Sequence, residues 1–202
     1  MIGIVDYGVG NLFSLKSSIA MIGEEAVVTS DAGELEKADK IILPGVGAFG
    51  DAAAKLRASG LDREVIRLAE SGKYIMGICL GMQLLFEKSY EYGEYDGLGL
   101  LKGNIRPIAN VIPKDLSIPH IGWNSLDIKK TSQLYENVDN GEYVYFVHSY
   151  YAADCDECVT ATADYGAPLT ASVEHENVFG CQFHPEKSGK TGMKILKAFC
   201  SL

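Results

Sequence analysis

No run of apolar residues in this chain approaches the length of a membrane-spanning helix, which argues against a transmembrane role. Positive charge is scarce: 18 Lys and Arg stand against 27 Asp and Glu, for a net charge of −9 and a pI near 4.9. That balance argues against nucleic acid, and against an anionic membrane surface, as a partner. Internal repeats, low-complexity tracts and domain-separating linkers are absent, so residues 1–202 are expected to form one domain. The start, Met1-Ile2-Gly3-Ile4-Val5-Asp6, lacks the basic opening of a signal peptide and is expected to be the first buried strand. The five cysteines, an odd number, show no disulfide framework. Cys155-Asp156-Glu157-Cys158 is a lone C-x-x-C in an acidic stretch that reads as a turn, and no second ligand pair stands at zinc spacing. No metal and no cofactor are expected, and free thiols suit a reducing, cytoplasmic setting.

What is present is ordinary globular composition, 47% hydrophobic and 22% charged. The first half alternates apolar strands with helices. Strands are expected at Ile2–Val5, Ala26–Thr29, Lys40–Leu43 and Tyr74–Ile78, and helices at Asn11–Ile22, Gly47–Ala58, Asp62–Ser71 and Leu80–Glu87. The Gly-rich, polar segment Tyr90–Gly103 reads as a loop. Beyond it strands dominate, at Asn104–Ile108, Tyr143–His148, Cys158–Ala163, Leu169–Val173 and Val178–Phe183, before a closing helix from Thr191 to Ser201. This pattern predicts an α/β fold: a mostly parallel central sheet flanked by helices, with additional β-strands in the second half.

Three stretches carry chemistry. In Gly77-Ile78-Cys79-Leu80-Gly81 an apolar strand runs into a helix through a cysteine flanked by small residues, the pattern of a nucleophile elbow with Cys in place of Ser. The start of the following helix favours thiolate; the plain alternative is a buried cysteine at a sheet edge. His184-Pro185-Glu186 emerges from a later buried strand, and Pro185 ends the ladder so that Glu186 can fold back beside the imidazole. Cys79, His184 and Glu186 then supply nucleophile, base and orienting carboxylate. Gly45-Val46-Gly47-Ala48-Phe49-Gly50 fits a dinucleotide fingerprint on paper, but it follows a later strand and no acidic residue closes a second strand at the needed spacing. It reads instead as a source of backbone N–H groups for an oxyanion, or as a plain tight turn.

Pro44-Gly45-Val46-Gly47, Gly77-Ile78-Cys79-Leu80-Gly81-Met82-Gln83 and Phe183-His184-Pro185-Glu186-Lys187-Ser188, in that order, resemble the class I (triad-type) glutamine amidotransferases. The likeness covers essentially the whole chain. Through Asp6–Asn11, Pro119–Asn124, Tyr145–Tyr150 and Gly192–Phe199 it narrows to glutaminase subunits of histidine biosynthesis that work beside a (β/α)8-barrel cyclase. A departure lies at Tyr74-Ile75-Met76, where the family often has a Pro before the elbow; it touches no catalytic group. The resemblance implies hydrolysis of glutamine to glutamate and ammonia through a thioester on Cys79, with His184 and Glu186 completing the triad. It implies an oxyanion hole from the amides of Val46 and Leu80, and glutamine held by Gly47, Gln83, Ser149 and Tyr150. Asn11, Trp123 and Tyr145 are expected near a heterodimer interface with the barrel subunit, Trp123 as an anchor or as ordinary core. The family's glutaminase is also weak until the partner binds its nucleotide, and a flipping peptide in Gly45-Val46-Gly47 is a candidate switch. Three other readings stay open at this point: a paralogue feeding a surface-sugar aminating enzyme, a stand-alone cysteine hydrolase of γ-glutamyl compounds, and a non-catalytic subunit.

Overall fold

The apolar runs of the first half become short parallel strands because both of their faces are covered. The computed structural model describes residues 1–202. In chain order the first half comprises β1 (Ile2–Val5), α1 (Leu12–Met21), β2 (Ala26–Thr29), α2 (Ala32–Lys37), β3 (Lys40–Leu43), α3 (Phe49–Ala58), α4 (Leu61–Glu70), β4 (Tyr74–Ile78) and α5 (Leu80–Leu84). There follow β5 (Phe86–Ser89), β6 (Tyr95–Asp96), β7 (Leu101–Pro107), β8 (His120–Ser125), β9 (Asp127–Ile128), β10 (Tyr143–His148), β11 (Tyr150–Ala153), β12 (Val159–Asp164), β13 (Pro168–His175), β14 (Val178–Cys181) and α6 (Gly189–Ser201).

Eight strands form the main sheet in the order β2-β1-β3-β4-β14-β13-β12-β9. The pairs from β2 through β14 are parallel, and the β14–β13, β13–β12 and β12–β9 pairs are antiparallel. Side-chain alternation divides the core into two layers. Ile41 and Leu43 of β3 face the layer under α3 and α4, while Ile42 joins Ile2, Ile4 and Met76 in the layer under α1 and α6. A four-stranded sheet, β11-β7-β5-β6, and the antiparallel β8–β10 pair lie outside the main sheet. The α/β expectation holds, and β3, β4 and β14 are neighbours whose carboxyl ends carry Pro44–Gly47, Cys79 and Gln182–His184.

Two expectations need correction. The helix after Cys79 stops at Leu84 rather than Glu87, because Phe86 and its neighbours pair with β7 and β6 instead. Tyr90–Gly103 is not all loop, since it contains β6 and the first residues of β7. α2 has no counterpart among the expected elements, although Asp31 caps it by accepting the Glu34 N–H at 2.9 Å. Its six residues are too few for a period to stand out.

Candidate active site

Cys79 sits at φ +55°, ψ −112°, a backbone state rarely adopted by a residue with a Cβ. The elbow that imposes it is packed backbone on backbone. A Cβ on Gly81 would lie 1.8 Å from the Leu43 carbonyl oxygen, and one on Gly77 would lie 2.6 Å from Met82 Cα. Only glycine fits either position, which is the physical content of the Gly-x-Cys-x-Gly pattern. The Cys79 N–H donates to the Cys181 carbonyl at 2.7 Å and ties the elbow to β14.

His184 follows β14 and is buried, with its Nδ1 2.8 Å from Glu186 Oε1. Burial lowers the imidazole pKa, but interaction with the Cys79 sulfur and the Glu186 carboxylate outweighs it and pushes the value up to about 9. The turn is pinned to β10. The His184 N–H donates to the Tyr145 carbonyl at 2.9 Å, the Tyr145 N–H donates to Ser188 Oγ at 2.9 Å, and Ser188 Oγ donates to the His184 carbonyl at 2.6 Å. Tyr145, singled out as an interface residue, therefore also braces the base.

A pocket of about 260 Å³ is lined by Val46, Gly47, Cys79, Leu80, Gln83, Ser149, Tyr150 and His184. These include every oxyanion and glutamine-holding residue expected from the sequence; Glu186 stands behind His184, out of the lining. The N–H groups of Val46 and Gly47 make no hydrogen bond within the protein, and Leu80 opens α5, where amides lack intrahelical partners. Gly47 has φ +96° and nothing within 4 Å of its missing side chain, so a Cβ there would meet strain rather than a neighbour. The turn is held from below by Tyr7, whose hydroxyl donates to the Pro44 carbonyl at 2.7 Å. Burial, and then the nearby Cys79 sulfur, raise the Tyr7 pKa.

Four further residues line the pocket without having been assigned to it from the sequence: Glu91, and Pro119, Val147 and His148 from stretches that carry the family resemblance. Glu91 Oε2 accepts the Phe49 N–H at 2.6 Å at the start of α3. Its pKa is raised by burial, against that hydrogen bond, with Asp51 adding to the rise. No local pattern marks it, because it sits in a stretch that reads as polar loop.

Of the interface residues, Trp123 is 55% exposed, which removes the core-packing alternative. Its ring meets that of Tyr145 edge-on at 6.1 Å across the β8–β10 pair. Ile121, at 58%, is exposed on the same strand. Asn11 lines a small cavity with Pro44, Gly45, His184 and Glu186, close to the triad. Cys155 and Cys158 lie apart from this site. Both the N–H and the thiol of Cys158 donate to the Cys155 carbonyl, at 3.0 and 3.2 Å, as a plain turn requires. No group of three or more His, Cys, Asp or Glu side chains is arranged to hold a metal, and no helix is long and apolar enough to cross a membrane.

A family model described as glutamine amidotransferase class-I matches residues 4–201. The chain is 50% identical over 200 residues to the imidazole glycerol phosphate synthase subunit HisH of Caldanaerobacter subterraneus subsp. tengcongensis, covering 98% of this chain and 97% of the relative. It is 48% identical over 198 residues to the protein of the same name from Aquifex aeolicus, covering 97% and 94%. Among solved structures, one described as a glutamine amidotransferase superposes with a TM-score of 0.77 at 20% identity, covering 99% of this chain and 97% of that one. PurLQS from Thermotoga maritima does so with 0.76 at 24%, again covering 99% and 97%. At those identities the structural likeness speaks to fold.

Proposed function

The chain belongs to the class-I glutamine amidotransferases, and from that premise we propose that it is the glutaminase subunit of an imidazole glycerol phosphate synthase. It hydrolyses glutamine to glutamate and passes the ammonia to a (β/α)8-barrel cyclase, which makes imidazole glycerol phosphate and aminoimidazole carboxamide ribotide in histidine biosynthesis. The observation that carries this is the strained Cys79 elbow opening into one pocket with His184, itself paired to Glu186 at 2.8 Å. The names of full-length relatives favour this acceptor over a surface sugar.

The pocket suggests how the reaction runs. Cys79 gives its thiol proton to His184, its Sγ attacks the side-chain amide carbon of glutamine, and the carbonyl oxygen takes up the electron pair. The free N–H of Val46 and the helix-opening N–H of Leu80 are the donors for that oxyanion; one such donor typically contributes a factor of about 100 to 1,000 in turnover. The intermediate collapses as the C–N bond breaks, and His184 gives its proton to the leaving nitrogen, which departs as ammonia. His184 then takes a proton from water, the resulting hydroxide attacks the thioester, and glutamate leaves as sulfur recovers its electron pair. Glu186 holds the imidazole and balances its charge. Glu91 offers a carboxylate to the substrate's ammonium group, and Gln83, Ser149 and Tyr150 complete the cradle.

Ammonia released into water would largely become ammonium, which is not a nucleophile, so the product needs a receiving partner over the pocket. The exposed β8–β10 face with Trp123 and Ile121 suits such docking. A direct test measures glutamate release by the chain alone and with a barrel cyclase and its ribonucleotide substrate. Loss of all release in Cys79→Ala supports the reading, and retained release sinks it.

A further inference from the structure

From β8 a line of polar side chains runs along the pocket wall to Cys79; of its members the mechanism above uses only Gln83, and leaves Asn124, His120, His148 and Gln182 without a role. It begins on β8 at Asn124, whose Nδ2 donates to the Asp164 carbonyl at 2.7 Å and lies 3.4 Å from His120 Nε2. His120 Nδ1 is 3.0 Å from His148 Nε2, and His148 Nδ1 is 2.9 Å from the Tyr150 carbonyl. The same carbonyl accepts from Gln83 Nε2 at 3.2 Å, and that nitrogen also reaches Gln182 Oε1 at 2.9 Å. The line ends at Gln182 Nε2, 3.7 Å from Cys79 Sγ.

The polarity of each link is forced. A carbonyl only accepts, so His148 carries its proton on Nδ1 and, when neutral, presents a lone pair at Nε2. His120 must then donate from Nδ1, which leaves its Nε2 to face the Asn124 N–H. By the same rule Gln83 turns its amino end to Tyr150, and Gln182 must turn its carbonyl oxygen to Gln83. Gln182 is fully buried, and its backbone is held by an N–H to the Ala171 carbonyl at 2.8 Å. Its remaining end is an NH2 group aimed at sulfur.

We propose that Gln182 is a further catalytic residue, whose side-chain N–H holds Cys79 Sγ in place and stabilises negative charge on it. Gln83 selects which end of Gln182 faces the sulfur, and His148 and His120 act as positioning residues by bracing the Tyr150 carbonyl. The proposal rests on the reading of Cys79 as the nucleophile. It supplies a donor both when the thiolate forms and when sulfur leaves the thioester.

The test is alkylation of Cys79 by iodoacetamide across pH in the full chain, scored by mass at that residue and therefore independent of glutamine. In Gln182→Met the donor is gone; in Gln182→Asn an amide remains for Gln83 but is one methylene too short to reach the sulfur as well. Both variants are expected to alkylate roughly tenfold more slowly at neutral pH, the effect of losing one hydrogen bond to a charged acceptor. Their pH–rate profiles should move to higher pH, with kcat for glutamate release falling more than KM rises. Gln182→Asn keeps the test open if Gln182→Met does not fold. A folded variant that alkylates at the wild-type rate overturns the proposal, as does a slower rate with an unmoved pH profile, which would indicate altered access alone. Glutamate release by Cys79→Ala would instead overturn the underlying function, and the alkylation profiles separate the two failures.

Discussion

Acidification from pH 6.5 to 4.5 is expected to weaken the fold through His148. Burial pushes this imidazole's pKa down to about 4 from its ordinary 6.5; the Tyr150 carbonyl opposes the shift, and His120 and His184 add to it. Between those two values the unfolded chain binds a proton that the folded chain refuses, so stability falls as pH falls. Integrating that difference over the interval gives a loss of about 2 kcal/mol from this one residue. Neighbouring groups set the window. His184, raised to about 9, contributes stability that is complete below pH 6.5 and is lost as pH rises through 9. Desolvation raises the Glu142 pKa, but Lys194, Thr191 and the Asp139 N–H together outweigh it and hold the value down to about 2, so its contribution is lost only below its ordinary 4.5. The raised pKa of Glu91 acts in the opposite sense to that of His148, and the lowered pKa of His120 in the same sense. The assay is urea unfolding of wild type and His148→Asn at three pH values across the interval, because the variant isolates one residue's share. The wild type should lose about 2 kcal/mol more than the variant on acidification. Parallel pH dependence in the two proteins would refute the argument.

Glu186→Gln removes a carboxylate that helps raise His184; glutaminase turnover should fall on the order of 1,000- to 10,000-fold, judged from triad enzymes in general, and steady-state kinetics with the partner present would show it. Gly81→Ala should give no folded protein, since its Cβ would meet the Leu43 carbonyl oxygen at 1.8 Å, and expression with circular dichroism would reveal this. Gly47→Ala meets no neighbour, only a φ of +96°, and should fold with a stability loss of about 1–2 kcal/mol in thermal unfolding. Trp123→Ala should leave the isolated chain's thermal midpoint unmoved while weakening barrel-subunit affinity roughly 30-fold in titration calorimetry.

The parallel half of the fold was legible because strands such as Lys40–Leu43 and Tyr74–Ile78, covered on both faces, read as continuous apolar runs. The elbow was legible because its glycines answer to hard contacts with Leu43 and Met82, which no larger residue could meet. Less could be read where pairing partners lie far along the chain. Phe86–Ser89 continues a helical pattern but joins a sheet with Leu101–Pro107, and that pairing shortens the helix after Cys79. Asp31 and Glu34 could have marked the helix at Ala32–Lys37 through capping alone. Tyr7 reaches the site from the loop after β1, Glu91 from the loop between β5 and β6 and His148 from the end of β10, so no spacing in the sequence links them to Cys79. Gln182 stood in plain view two residues before His184, yet its importance depends on the orientation of Gln83, which only the folded network determines.

The measurement that bears most directly on the central claim is glutamate release by the wild-type chain under three conditions: alone, with a (β/α)8-barrel cyclase, and with that cyclase plus its ribonucleotide substrate. Little release alone and strong stimulation in the full mixture, abolished in Cys79→Ala, is the predicted result. High release from the isolated chain, unchanged by partner or nucleotide, would contradict the account and leave a free-standing γ-glutamyl hydrolase in its place.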